Sequence, residues 1–166
     1  MLSSLQHILW VVGLVLIQAV FFNHIHIGGY ATPFVYVWLI LILNKNINRN
    51  ILLLWGFGIG LLIDIFSNTL GMHAAATTLL AYVRPFILSL FVSHDSQEDF
   101  SPGVCVMGIG RFTGYVGIGV LLHHIVLLSL DAFSLFYWHI LLAKIFSCAL
   151  LTVLCILFIE FMRKGK

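Results

Sequence analysis

Apolar runs separated by short polar breaks cover almost the whole chain. Six runs are legible, at about 5–22, 31–43, 51–66, 72–92, 108–130 and 139–161. The breaks carry turn or charge chemistry: Asn23 to Tyr30, Asn44 to Asn50, Ser67 to Gly71, the polar stretch Ser93 to Gly103, and Asp131 to Trp138. Most of the runs are long enough for a helix to cross a hydrocarbon core of about 30 Å. The run at 31–43 is the shortest, reaching only about 20 Å as a helix. It is expected to be extended by the preceding segment or to be broken, with Pro33 near its start. Pro85 is a possible kink in the fourth run, and the fifth is long enough to tilt. The pattern predicts an all-α, polytopic six-helix transmembrane bundle, with one integral membrane domain over 1–166.

Composition supports lipid as the solvent. Hydrophobic residues make up 61% of the chain and charged residues only 8%, with a mean hydropathy of +1.11. Water cannot solvate a surface so poor in charge. The 14 glycines and weak polar alternation argue against an outer-membrane barrel. The net charge of +2 is small and its basic residues are scattered, which does not suggest nucleic-acid binding. The first run lacks a basic leader and a small-residue cleavage site, so it reads as a retained span. Lys45, Arg49, Arg111, Arg163, Lys164 and Lys166 fall on one side of a six-span path, and the breaks near 23–30, 67–72 and 131–138 hold no Lys or Arg. The asymmetry predicts both termini in the cytoplasm.

Four charges fall within apolar runs: Asp64, Arg84, Lys144 and Glu160. Charges at membrane depth are costly and face protein or water. Asp64 and Lys144 share a depth and would pair if the third and sixth spans touch. Arg84 lies about 9 Å from the Asp64 level, within reach only of an extended guanidinium. Glu160 shares its side of the membrane with Arg84. Packing, snorkelling or orientation is the plainer role for all four, and lining a cavity or partner contact the sharper one. The adjacent His123 and His124 are not expected to share a helix face and read as structural or lipid-facing. Gly56 with Gly60, and Gly110 with Gly114 and Gly117, form small-residue faces for helix packing or partner binding.

No catalytic constellation emerges. Zincin, nucleophile-elbow and paired-cysteine motifs are missing from the sequence, and Gly56 to Gly60 lies inside a span rather than in a phosphate-binding loop. Cys105, Cys148 and Cys155 have no metal-ligand spacing, and His24 and His26 have no evident third ligand. The expectation is a chain without catalysis, metal or cofactor.

The stretch from Ile51 to Pro85 resembles the bacterial rod shape-determining protein MreD family. The resemblance rests on Trp55 to Ser67, with Gly56, Gly58, Gly60 and Asp64, followed by Leu70, Gly71, Met72, His73 and Ala74. About 35 residues carry the recognisable pattern, and the layout extends it to the whole chain. The resemblance implies a fold similar to the substrate-binding component of energy-coupling-factor transporters. It implies a non-enzymatic scaffold of the cell elongation machinery, in the bacterial inner membrane, that maintains cell shape through peptidoglycan synthesis. The implied partners are an MreC-like periplasmic scaffold protein, the wall synthase polymerase and transpeptidase, the actin-like filament MreB, and membrane lipid. The carried-over positions are Gly56, Gly60, Asp64, Gly71 and His73, with Arg84 beside them. The chain departs from the family in its aromatic and histidine-rich composition and its short second run.

A second function fits the same layout: the substrate-capture component of a vitamin or metal uptake transporter. It predicts a pocket on the outer side, lined by Asn23, His24, His26, Asn68, Thr69 and His73. It also predicts a small-residue face, such as Ala74 to Ala76, for an energising partner.

Overall fold

The computed structural model describes residues 13–15, 17–18, 32–92, 99–132 and 137–164. The described residues form an all-helical fold. Residues 13–15 and 17–18 are helical. They are followed by α1 (Val37–Leu41), α2 (Arg49–Ser67), α3 (Met72–Ser89), α4 (Val104–Met107), α5 (Ile109–Ala132) and α6 (Trp138–Lys164). The six-span expectation is corrected: among the described residues three helices are long and apolar enough to cross a membrane, Arg49–Ser67, Ile109–Ala132 and Trp138–Arg163. The span expected at 5–22 lies largely outside the described residues. The run at 31–43 contains a helix of only 5 residues. Helix α3 has the length, at 18 residues, but Thr77, Thr78, Arg84 and Pro85 dilute its apolar character.

The helices pack in sequence. The largest interface joins α2 to α3, and α3 packs on α5, which packs on α6. Helix α2 starts at Asn48, whose side chain accepts from the Asn50 N–H at 2.9 Å, a standard N-cap. It stops at Asn68, which sits at φ 53 and ψ 43, a left-handed conformation that Asn tolerates better than most residues. Gly71, at φ 80, completes the turn. Helix α3 runs through Pro85 to Ser89 without ending there.

Many large apolar side chains face outward. On α6, Phe146, Leu150, Leu154 and Phe158 are all exposed, four residues apart on one ridge. Leu54, Phe57, Leu61 and Ile65 are exposed on α2. The core is apolar, with Ile40, Leu52, Ile63, Leu80 and Phe112 among its buried side chains, and it also encloses Asp64, Arg84, His123, His124, Thr152 and Glu160. Apolar side chains outside with the charges enclosed are what a hydrocarbon solvent selects.

Gly56 and Gly60 set the α2–α3 distance. A Cβ at Gly56 would lie 2.7 Å from Ala81 Cβ and 2.9 Å from Thr77 O. One at Gly60 would lie 2.5 Å from Ala74 Cα and 2.6 Å from His73 O, and closer still to Thr77 Oγ1. Backbone atoms cannot step aside as a side-chain tip can. Gly58 is on the open side, with nothing within 4 Å of such a carbon. Gly60→Ala is therefore expected to destabilise the purified chain by about 1–3 kcal/mol through overpacking, whereas Gly58→Ala is expected to be neutral or slightly stabilising. Denaturant titration in detergent, followed by circular dichroism, measures both.

Candidate functional site

A polar seam runs through the bundle, and its uppermost member is Asp64. This carboxylate is 3% exposed. Oδ1 accepts the Thr69 hydroxyl and, at 3.1 Å, the His73 N–H, while Oδ2 accepts the Ala74 N–H at 2.8 Å. His73 and Ala74 belong to the first turn of α3, whose N–H groups have no partner inside the helix. The N-cap position is Gly71, which has no side chain to offer. Asp64 thus caps α3 from the preceding helix, and its negative charge sits at the positive end of the helix dipole.

Below it lies a cluster of aromatic and imidazole rings. The Tyr36 hydroxyl is 2.7 Å from His73 Nδ1 and 3.0 Å from His123 Nε2. A hydroxyl has one proton, so it donates to one ring and accepts from the other. His123 Nδ1 is buried with no partner among the described residues. A buried N–H without an acceptor is rarer and costlier than a bare lone pair, which assigns the His123 proton to Nε2. Tyr36 then accepts from His123 and donates to His73 Nδ1. His124 Nδ1 donates to Val120 O at 2.7 Å, and its Nε2 lies 3.2 Å from Thr152 Oγ1.

The seam exists because the segment from Thr32 to Leu43 is mostly unwound yet buried. Its backbone groups are met by side chains from the surrounding elements. Gln18 donates to Pro33 O and accepts from the Val35 N–H, both at 2.9 Å. The Phe34 N–H donates to Thr152 Oγ1 at 3.0 Å, and the Thr32 N–H to Cys148 Sγ at 3.3 Å. The Tyr115 hydroxyl donates to Leu41 O at 2.9 Å. Arg84 Nη2 donates to Leu41 O at 3.3 Å and also to Leu43 O.

The remaining intramembrane charges take partners that differ from the expected ones. Asp64 and Lys144 do not pair: α2 and α6 share no substantial interface, and Lys144 instead reaches Asp131 at 3.2 Å. Arg84, fully buried, serves the Leu41 and Leu43 carbonyls, while its Nε and Nη1 have no partner among the described residues. Glu160 binds Arg163 at 3.1 Å, accepts the Trp38 indole N–H at 3.3 Å and accepts the Val104 N–H at 3.4 Å.

The histidine expectation is corrected in part. His123 and His124 are both fully buried rather than lipid-facing, because the unwound segment lies against a broad face of α5 and takes in adjacent positions. On α5, Gly114 makes a close contact, its added Cβ falling 2.6 Å from Phe91 Cε1. Gly110 and Gly117 face open space, with nothing within 4 Å. Gly119, not singled out by the sequence, faces Leu41 Cδ2 at 2.9 Å. Tyr36, Gln18, Tyr115 and Thr152 were also missed. Their signal was a lone hydroxyl or amide in an apolar run, which membrane burial makes as informative as a charge. His24 and His26 lie outside the described residues. Among the described residues no group of three or more His, Cys, Asp or Glu side chains is placed to hold a metal.

Two substitutions separate capping from pairing. Asp64→Asn replaces an acceptor oxygen by a donor facing a helix N-terminus and is expected to cost about 2–3 kcal/mol. Lys144→Met breaks only a partly exposed ion pair and is expected to cost under about 1 kcal/mol. Tyr36→Phe leaves two imidazole nitrogens unmatched, with an expected cost of about 1–3 kcal/mol. Chemical unfolding of each variant in the same detergent gives the three values, and equal losses for Asp64→Asn and Lys144→Met would contradict the assignment. Comparison of the chain with family models, with curated proteins and with solved structures gave no match.

Proposed function

We propose that this polytopic helical membrane protein is a non-enzymatic scaffold of the bacterial cell elongation machinery, held in the inner membrane with both termini in the cytoplasm. The observation that carries the reading is the convergence of the residues behind the MreD resemblance. Gly56 and Gly60 bring α3 against α2, Asp64 caps α3, and Gly71 shapes the turn between them. His73 presents its N–H to Asp64 and its ring to Tyr36. The motif builds a rigid helical hairpin, a reason for its spacing that needs no catalytic step.

In this reading the bundle acts by fixing the geometry of its partners. The exposed apolar ridges of α2 and α6 and the open Gly110 and Gly117 positions offer faces to single-span helices. The partners are an MreC-like periplasmic scaffold, the wall synthase polymerase and transpeptidase, and the MreB filament on the cytoplasmic side.

The second reading, capture of a small molecule for uptake, is favoured by one observation. A cavity of about 180 Å³ opens at the α2–α3-turn end, and Thr69 and His73 line it. The small-residue face proposed for an energising partner does not fit, since Ala74 and Ala76 are buried in the bundle and only Ala75 is exposed.

The chain purified from its native cells in mild detergent is expected to retain wall-synthase or MreC-like partners. Gly117→Leu, made in open space, is expected to keep the melting midpoint and to lower partner recovery severalfold. Recovery of ATPase subunits or a bound vitamin in place of wall-synthesis proteins would move the assignment to uptake.

A further inference from the structure

We propose that the cavity at the α2–α3-turn end is a binding site for a phosphoethanolamine group, a phosphate and a primary ammonium on a short linker, borne by a membrane lipid or by a free glycerophosphoester. The inference does not rest on the scaffold reading and involves no transport.

The cavity holds about 180 Å³, room for several waters. Phe34, Met72, Leu127 and Leu128 make the apolar part of its lining. Asp131, Lys144 and His73 line it too, along with Thr32, Thr69 and Cys148. The carboxylate and the ammonium lie 3.2 Å apart, with their side chains 50% and 37% exposed. A pair so exposed is weakly held and opens readily. A cation alone would satisfy Asp131 and leave Lys144 unmatched, and an anion alone would do the reverse. A ligand with both charges replaces the pair without leaving either unmatched.

His73 sets the direction of recognition. It is 6% exposed, and its Nδ1 is taken by the Tyr36 hydroxyl. The proton order along Tyr36 and His123 makes that nitrogen the acceptor, so the second ring nitrogen, Nε2, carries a hydrogen. No partner for Nε2 occurs among the described residues, and the side chain lines the cavity. Two donors, Lys144 Nζ and His73 Nε2, thus serve a phosphate, and one acceptor, Asp131, serves a primary ammonium. The level of the cavity argues for phosphate over carboxylate. Tyr137 and Trp138 at the start of α6 are 64% and 57% exposed, the placement of interface-anchoring rings beside headgroups. A trimethylammonium cannot donate a hydrogen bond to Asp131, so a choline headgroup is disfavoured.

The test uses the full chain. Glycerophosphoethanolamine is titrated calorimetrically into the protein in maltoside detergent. In parallel, protein reconstituted in vesicles of equal phosphatidylethanolamine and phosphatidylglycerol is released and weighed by native mass spectrometry. Saturable binding of the soluble probe identifies a free ester as sufficient, and retention of phosphatidylethanolamine alone identifies the lipid as the source. Asp131→Asn and Lys144→Met are each expected to weaken binding at least tenfold with unchanged helicity and melting midpoint. If Lys144→Met melts lower, Lys144→Arg keeps the charge and is expected to bind within threefold of the native chain. Equal retention of phosphatidylglycerol, no retention of either ligand, or variants that bind like the native chain would overturn the proposal.

Discussion

A hydrocarbon surrounding offers no hydrogen bonds, so every unwound stretch of backbone at membrane depth must find its partners within the protein. The segment from Thr32 to Leu43 is where this constraint acts. Gln18, Thr152, Cys148, Tyr115 and Arg84 each give a side-chain atom to its backbone. Those residues are spread over the elements that surround it, so the segment serves as the axis on which the bundle closes. A polar seam crosses the otherwise apolar interior for this reason. Replacing this segment by a straight helix would satisfy its backbone locally and strand the five side chains that now serve it.

The α2–α3 hairpin answers the same constraint differently. The buried start of α3 leaves N–H groups bare, and Gly71 cannot cap them. Asp64 supplies the acceptors from the neighbouring helix, an arrangement that works only if the helices approach closely. Gly56 and Gly60 permit that approach, and Thr77 and Ala81 fill the space they leave. Close packing and capping are therefore one device. The carboxylate holds the axial register of two helices and the glycines hold their separation.

Much of this was legible in the chain, and the failures have physical causes. The apolar runs mark α2, α5 and α6 to within about three residues, because long apolar periods at membrane length leave little ambiguity. The brevity of the 31–43 run signalled a break, but its anchors come from residues far along the sequence and no local period reveals them. Asp64 was visible as an intramembrane charge. Its cap role was hidden because capping acceptors normally stand at the N-cap itself, and here the acceptor lies seven positions earlier than Gly71. The search for charge partners also misdirected the reading of Arg84, whose partners are carbonyl oxygens. His123 and His124 were judged as if one narrow face were buried, whereas α5 is covered on a wide arc.

The anchors of the unwound segment carry an implication for biogenesis. Apart from Gln18, they lie later in the chain than the segment they hold, between Arg84 and Thr152. The Val37, Trp38, Leu39 and Ile42 N–H groups bond carbonyls within the segment, but the partners offered by α3, α5 and α6 are synthesised only after it. Those contacts have long sequence separation, the slowest kind to form. Much of the sequence at the centre of the bundle is thus among the first to be made, and its partners are among the last.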